Sequence, residues 1–162
     1  MKIGFGTYTL MVAIVLYGVL LGGVVYSHVV YFPVYLGHLP DSAVLVNGQF
    51  ALHEENFWAL IHPMLVLALV ITLFINWRDK YRRARIALTL AVYVLVLVVS
   101  FLWFIPQLGE FKDSPQSSVT ADEWHHRGEH WQHMSWLRGG VLFVFSVPLL
   151  LALTKREEDA AG

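Results

Sequence analysis

The chain has 162 residues, of which 57% are hydrophobic and only 14% are charged, whereas soluble domains carry about 25% charged residues. This composition argues against a water-soluble globule, and the net charge of −1 argues against a nucleic-acid partner. No cysteine is present, which excludes disulfides, cysteine-ligated metals and a thiol nucleophile.

Four stretches are long and apolar enough to be transmembrane helices, each of which needs about 20 mostly apolar residues. In chain order they cover residues 8–31, 57–77, 86–105 and 131–153, and the fourth extends outward from about residue 123. We expect Pro33 and Pro40 to break the chain after the first span and Pro106 to close the third. No convincing cleavage site follows the first span, so we interpret it as a retained helix. The sequence predicts one all-α domain over residues 1–162, an integral membrane four-helix bundle.

The loop between the second and third predicted spans is strongly basic. It carries Arg78, Lys80, Arg82, Arg83 and Arg85, and further basic residues flank the first and fourth spans at Lys2, Lys155 and Arg156. Short basic segments stay on the cytoplasmic side of a membrane. We therefore expect a multi-pass protein of the cell membrane with both termini in the cytoplasm.

This orientation places every histidine on the extracytoplasmic side of the membrane or near the outer ends of the spans. The histidines are His28, His38, His53, His62, His125, His126, His130 and His133. Most of the acidic residues fall on the same side. Chance would rarely sort these side chains so completely, so the clustering points to an extracytoplasmic site.

Helical spacing groups some of these side chains on one face. His126, His130 and His133 are related by i, i+4 and i+7, and Glu123 forms a Glu-x-x-His pair with His126. Four-helix bundles that hold metals use inward-facing carboxylate and histidine units of this kind, and imidazole suits iron and copper. The sequence therefore predicts one or two iron or copper ions at the outer mouth of the bundle. The predicted ligands are His28, His62, His126, His130, His133, Glu55 and Glu123.

Other interpretations fit the same histidines. A heme b held by two histidines from different helices is one alternative, with His28 or His62 facing His130. A second is a non-enzymatic, pH- or metal-responsive small subunit of a larger membrane complex, because histidine changes charge near neutrality. Purely structural roles are also open: His62 can be a helix-packing residue, and His38 and His53 can be solvated loop residues.

Charged and aromatic residues near the predicted metal ligands complete the candidate site. Glu129 lies beside the histidine stripe, and Arg138 follows inside the fourth span, where it either snorkels to the headgroups or pairs with an anion. We assign the predicted catalytic roles to these two residues. Trp58 and Trp131 are the predicted cofactor contacts, although an aromatic belt at the membrane interface also explains tryptophans there.

Two segments carry a resemblance to a known family. The end of the first span reads GVLLGGVVYSHVVYFPVYL, and the last helix reads WQHMSWLRGGVLFVFSVPLLLAL. Both are similar to segments of small four-helix membrane proteins of the anthrone-oxygenase-like group. The resemblance implies oxygenation of an aromatic polyketide or a related hydrophobic substrate, and it draws attention to Arg138 and the neighbouring tryptophans.

The sequence as a whole favours a membrane-embedded metalloprotein with an extracytoplasmic histidine and glutamate redox site. We expect it to be an oxidoreductase that acts on a lipophilic quinol or aromatic substrate entering from the lipid bilayer. Assembly into a homo-oligomer or a larger membrane complex is also compatible with the sequence.

Overall fold

A computed structural model describes residues 4–154 and contains four long helices. Helix α1 spans Phe5–Gly37, α2 spans Glu54–Ile75, α3 spans Lys80–Lys112 and α4 spans Ala121–Leu151. Each is long and apolar enough to cross a membrane, and residues 4–154 contain no strand. The predicted all-α four-helix architecture is confirmed. Lys2, Lys155 and Arg156, which contributed to the predicted orientation, lie outside the described residues.

The helices form a closed antiparallel bundle in which each packs against the next and α1 also packs against α4. The central core contains Leu10, Tyr17, Leu69, Tyr93 and Leu142, all almost fully buried. The bundle has two chemically distinct ends. We call the end with the α2–α3 loop the basic end, and the opposite end, which carries seven of the histidines, the histidine end.

The outward faces of the helices are as apolar as the core. Val15 on α1, Leu67 on α2, Leu95 on α3 and Val144 on α4 are each more than half exposed, at 65%, 61%, 61% and 64%. A water-soluble bundle places charged residues on its outer face. This arrangement is that of a multi-pass membrane protein whose outer surface contacts lipid.

The first and third helices continue past Pro33 and Pro106, whereas α1 ends at Gly37, before Pro40. Each contains a π-helical turn, at Ser27–Tyr31 in α1 and Ser100–Phe104 in α3. In an α-helix, Pro33 and Pro106 would each clash with the carbonyl four residues earlier, and in both helices that carbonyl lies inside the π turn, where the hydrogen-bonding register is wider. The prediction that these prolines end their helices is therefore wrong.

Both π turns share a Ser-x5-Pro pattern, from Ser27 to Pro33 and from Ser100 to Pro106. Because α1 and α3 run in the same direction within the bundle, their π turns lie toward the same histidine end. Both neighbour α4, so the bundle brings two similar irregular turns to the same part of one helix.

The part of α4 nearest its start packs on aromatic side chains from the other helices. Thr120 caps this helix, since its Oγ1 accepts a hydrogen bond from the Glu123 backbone N–H at 3.3 Å. The buried face then follows Trp124, Gly128 and Trp131. At Gly128 a Cβ atom would lie only 2.7 Å from the Leu36 carbonyl oxygen, so glycine permits close packing of α4 against the end of α1.

Candidate functional site

A polar network centred on Arg138 joins three helices near the histidine end. Arg138 Nη1 donates to Ser100 Oγ at 3.0 Å, and Nη2 donates to Ser135 Oγ at 2.8 Å. Ser100 begins the π turn of α3, while Ser135 lies one turn before Arg138 on α4. The guanidinium therefore fixes the position of the α3 π turn relative to α4.

The same network continues from Ser135 into His28, in the π turn of α1. Arginine only donates hydrogen bonds, so Ser135 Oγ accepts from Arg138 and its own hydrogen is free for His28 Nε2, 2.9 Å away. His28 Nδ1 then carries the ring hydrogen and donates to the Val24 carbonyl oxygen at 2.7 Å. Both nitrogens of the imidazole are therefore already used.

Arg138 has aromatic neighbours but no carboxylate partner among residues 4–154. Its Cζ lies 4.0 Å from the Phe104 ring centroid and 5.9 Å from that of Trp131, distances at which a cation is attracted by a ring face. Trp131 is fully buried, and its Nε1 donates to the Phe104 carbonyl oxygen at 3.1 Å. Its predicted role as a cofactor contact stays a prediction.

His62 belongs to a second polar group in the bundle core. Its Nδ1 lies 2.7 Å from the phenolic oxygen of Tyr93 on α3, and its ring stacks on Trp58 with centroids 5.5 Å apart. Tyr93 is completely buried, and donation to Nδ1 satisfies its hydroxyl hydrogen. His62 Nε2 makes no hydrogen bond within residues 4–154.

The histidine stripe on α4 does not face the bundle. His126, His130 and His133 are all exposed, and the side chain of His126 is 69% accessible. The inward-facing prediction for these residues is therefore wrong. The opposite face, through Trp124 and Trp131, is buried instead, because burying indole rings is more favourable than burying imidazoles.

The predicted carboxylates also lie on the surface and contact other partners. Glu55 accepts from His53 Nδ1 at 2.8 Å, and Glu123 accepts from Arg127 Nε at 2.8 Å. Glu129 lies 3.3 Å from His125. None of these three acids contacts His28 or His62.

These positions decide how well the predicted metal or heme fits one chain. Within residues 4–154, no three histidine or acidic side chains converge well enough to hold a metal ion. His28 has no free nitrogen, and His62 lies in the core while His126 and His130 project outward. One chain therefore offers neither the predicted metal cluster nor the opposed pair for a bis-histidine heme, and both cofactors stay predictions.

A lipid-facing cleft lies between α1 and α2, beside the α1 π turn. It has a volume of about 450 Å³. Its lining residues are Val19, Gly22, Gly23, Tyr26, Ser27, Glu54 and Phe57. The walls are apolar and aromatic, and the polar groups gather at one end.

Glu54 and Ser27 form the polar end of this cleft. Ser27 is buried and donates its hydroxyl hydrogen to Glu54 Oε1. The Trp58 indole lies close enough to interact with the same carboxylate. No lysine, arginine or histidine forms an ion pair with Glu54 within residues 4–154. The carboxylate is therefore half-buried and its hydrogen-bond donors are neutral, which is the arrangement of a group available to a ligand.

Several residues of these groups did not stand out in the sequence. They are Ser27, Glu54, Tyr93, Ser100 and Ser135. A signal existed for the serines, since Ser27 and Ser100 share the Ser-x5-Pro pattern and Ser135 precedes Arg138 by three residues. No signal distinguished Glu54 from Glu55, because only the start and rotation of α2 decide which one faces the cleft.

Comparisons with known proteins add no assignment: no family model, no curated protein and no solved structure matches the chain. The resemblance to the anthrone-oxygenase-like group is neither supported nor opposed by them.

Proposed function

We propose that this protein binds a lipophilic phenol or quinol in the cleft between α1 and α2, with the substrate hydroxyl directed at Glu54. The observation that carries the proposal is a carboxylate, without an ion-pair partner among residues 4–154, at the polar end of an apolar cleft that opens toward lipid. Ligand sites have this composition, in which apolar and aromatic walls bury the ligand and a few polar groups orient it.

The shape of the cleft suits an aromatic ring that enters sideways from the bilayer. Gly22 has no atom within 4 Å of the position of a Cβ, so nothing fills this wall. Tyr26 and Phe57 supply aromatic faces, and aromatic rings stack favourably on one another. A substrate with a hydrocarbon tail can leave that tail in the lipid while its ring occupies the cleft.

Glu54 supplies the chemistry of the proposed site. A charged acceptor forms a stronger hydrogen bond to a hydroxyl than a neutral acceptor does, and Ser27 orients the carboxylate. Glu54 is the group placed to accept the hydrogen bond that the hydroxyl of a bound phenol or quinol donates. We propose the extracytoplasmic half of the cell membrane as the location, because the basic end of the bundle is expected to face the cytoplasm.

Binding of a soluble-tailed quinol analogue to the protein in lipid nanodiscs tests this proposal. We expect saturable binding by the native chain and affinity lower by about tenfold or more in Glu54→Gln, since a hydrogen bond to a charged group contributes about 1.5–3 kcal/mol. Glu55→Gln is the matched control, because Glu55 is exposed and pairs with His53. Equal affinity in all three proteins, or no saturable binding, contradicts the proposal.

A further inference from the structure

The exposed face of α4 at the histidine end has a chemistry that the cleft does not use. This outer face comprises Asp122, His126, His130 and His133, all exposed. It lies on a continuous helix that begins at Ala121, and the helix is held in place on its other side by Trp124 and Trp131. The outer face is therefore a fixed surface on which the spacing of side chains is set by the helix.

The imidazoles on this face are free to bind another group. His126 makes only a long contact of 4.0 Å to Asp122. Within residues 4–154 the rings of His130 and His133 make no hydrogen bond, and His130 has only an edge-on aromatic contact with Trp103, with centroids 6.1 Å apart. By contrast, His125 lies off this face and contacts Glu129 at 3.3 Å.

Helical spacing favours one pair on this face. Residues three or four apart on a helix have Cβ atoms about 5–6 Å apart, and two histidines four apart on one helix face are the pair that binds zinc in the H-E-x-x-H motif. His126 and His130 have this spacing, so both can direct a ring nitrogen at one ion between them. The helix already fixes the backbone at both positions, so metal binding costs only the conformational entropy of the two side chains. Neutral imidazole is a good ligand for late transition metals, and for a given site affinity rises along the first row to a maximum at copper(II).

We propose that His126 and His130 form a two-histidine chelate for a divalent late-transition-metal ion, with copper(II) bound most tightly. Within residues 4–154 no third histidine or acidic side chain joins such a group, so water completes the coordination. The ion is accordingly exchangeable and open to solvent, unlike a buried redox centre. This site is separate from the cleft at Glu54 and does not depend on the proposed substrate.

Titration of the tag-free, full-length protein in detergent with copper(II), supplied as its glycine complex, tests the proposal. Calorimetry gives the affinity, and electron paramagnetic resonance reports nitrogen coordination. We expect one exchangeable ion per chain. We also expect the affinity for copper(II) to be lower by at least about tenfold in His126→Gln and in His130→Gln. Substitution of residues that only orient metal ligands already lowers metal affinity by about tenfold or more, so loss of a ligand should cost at least as much.

Two matched variants sharpen the result. His125→Gln and His133→Gln are expected to bind copper(II) like the native chain, since neither belongs to the pair. Copper(II) is also expected to raise the melting temperature of the native protein but not that of the double variant His126→Gln/His130→Gln. Native-like binding by that double variant, or an equal loss in the His125 and His133 variants, overturns the assignment.

Discussion

Arg138 and His28 are joined by a single hydroxyl group, Ser135 Oγ, which accepts from the guanidinium at 2.8 Å and lies 2.9 Å from the imidazole. The two residues come from α4 and α1. A guanidinium on a membrane helix costs about 2.5–3.5 kcal/mol at the bilayer centre, and hydrogen bonds within the protein offset part of that cost. The bridge also holds the α1 π turn, in which Ser27 donates to Glu54 in the cleft.

Removing the bridge is expected to destabilise the bundle. Ser135→Ala deprives Arg138 of one acceptor and leaves buried His28 Nε2 unpaired, at a cost of about 1–3 kcal/mol. Unfolding in mixed micelles with increasing denaturing detergent measures the change. Ser146→Ala is the control, because Ser146 Oγ bonds only within its own helix, to the Phe143 carbonyl oxygen. Equal stability of the two variants would mean that the bridge contributes nothing.

Close packing between α4 and α1 makes Gly128 sensitive to substitution. In Gly128→Ala the new Cβ would lie 2.7 Å from a backbone oxygen, which cannot move as a flexible side chain does, so overpacking of about 1–3 kcal/mol is expected. Gly140→Ala on the same helix has open space around the Cβ and is expected to be neutral or stabilising by about 0.4–1 kcal/mol. Thermal unfolding compares them, and a Gly128→Ala protein as stable as Gly140→Ala would refute the close contact.

The pair formed by Tyr93 and His62 is a separate polar contact in the core. Tyr93→Phe removes the hydroxyl and leaves His62 Nδ1 without its partner, so we expect a loss of about 1–2 kcal/mol. Tyr81→Phe is the matched control, since among residues 4–154 the Tyr81 hydroxyl makes only an exposed contact with Thr154. The same detergent titration measures both. No difference between these variants would count against a hydrogen bond in the core.

Filling the cleft is expected to reduce ligand binding without harming the fold. Gly22→Leu places a side chain in the open space of the cleft wall, so it competes directly with the substrate ring. Gly18→Leu also enters open space, but Gly18 lies outside the cleft. Quinol-analogue binding should fall only in the Gly22 variant, while both proteins keep the native melting temperature. Reduced binding in both would point to an effect on α1 as a whole.

The helices could be predicted from the sequence because long apolar segments have few other structures in a membrane. The ends of α1 and α3 could not be predicted. Prolines such as Pro33 and Pro106 normally mark the end of a helix, and no simple sequence rule signals a π turn that accommodates them. The Ser-x5-Pro pattern places Ser27 and Ser100 at equivalent positions in the two helices. Its meaning is clear only from the structure, in which both π turns lie beside α4.

The orientation of the histidine stripe shows a different limit. Periodicity correctly groups His126 and His130 on one face, but it does not say whether that face is buried. Trp124, Gly128 and Trp131 have a helical spacing of their own, and apolar burial decides in their favour. Likewise, Glu54 and Glu55 are equivalent in the sequence, and only the position of α2 against α1 separates the cleft carboxylate from the surface one.

The location of a bound quinol tests the central claim most directly. A photoactivatable quinol analogue, crosslinked to the protein in nanodiscs and mapped by mass spectrometry, reports which residues surround the ring. We expect labelling within residues 19–27 of α1 and 54–57 of α2, reduced by excess unlabelled quinol and by Gly22→Leu. Labelling confined to the outer faces of α3 and α4, or spread evenly over all lipid-facing residues, would contradict the account.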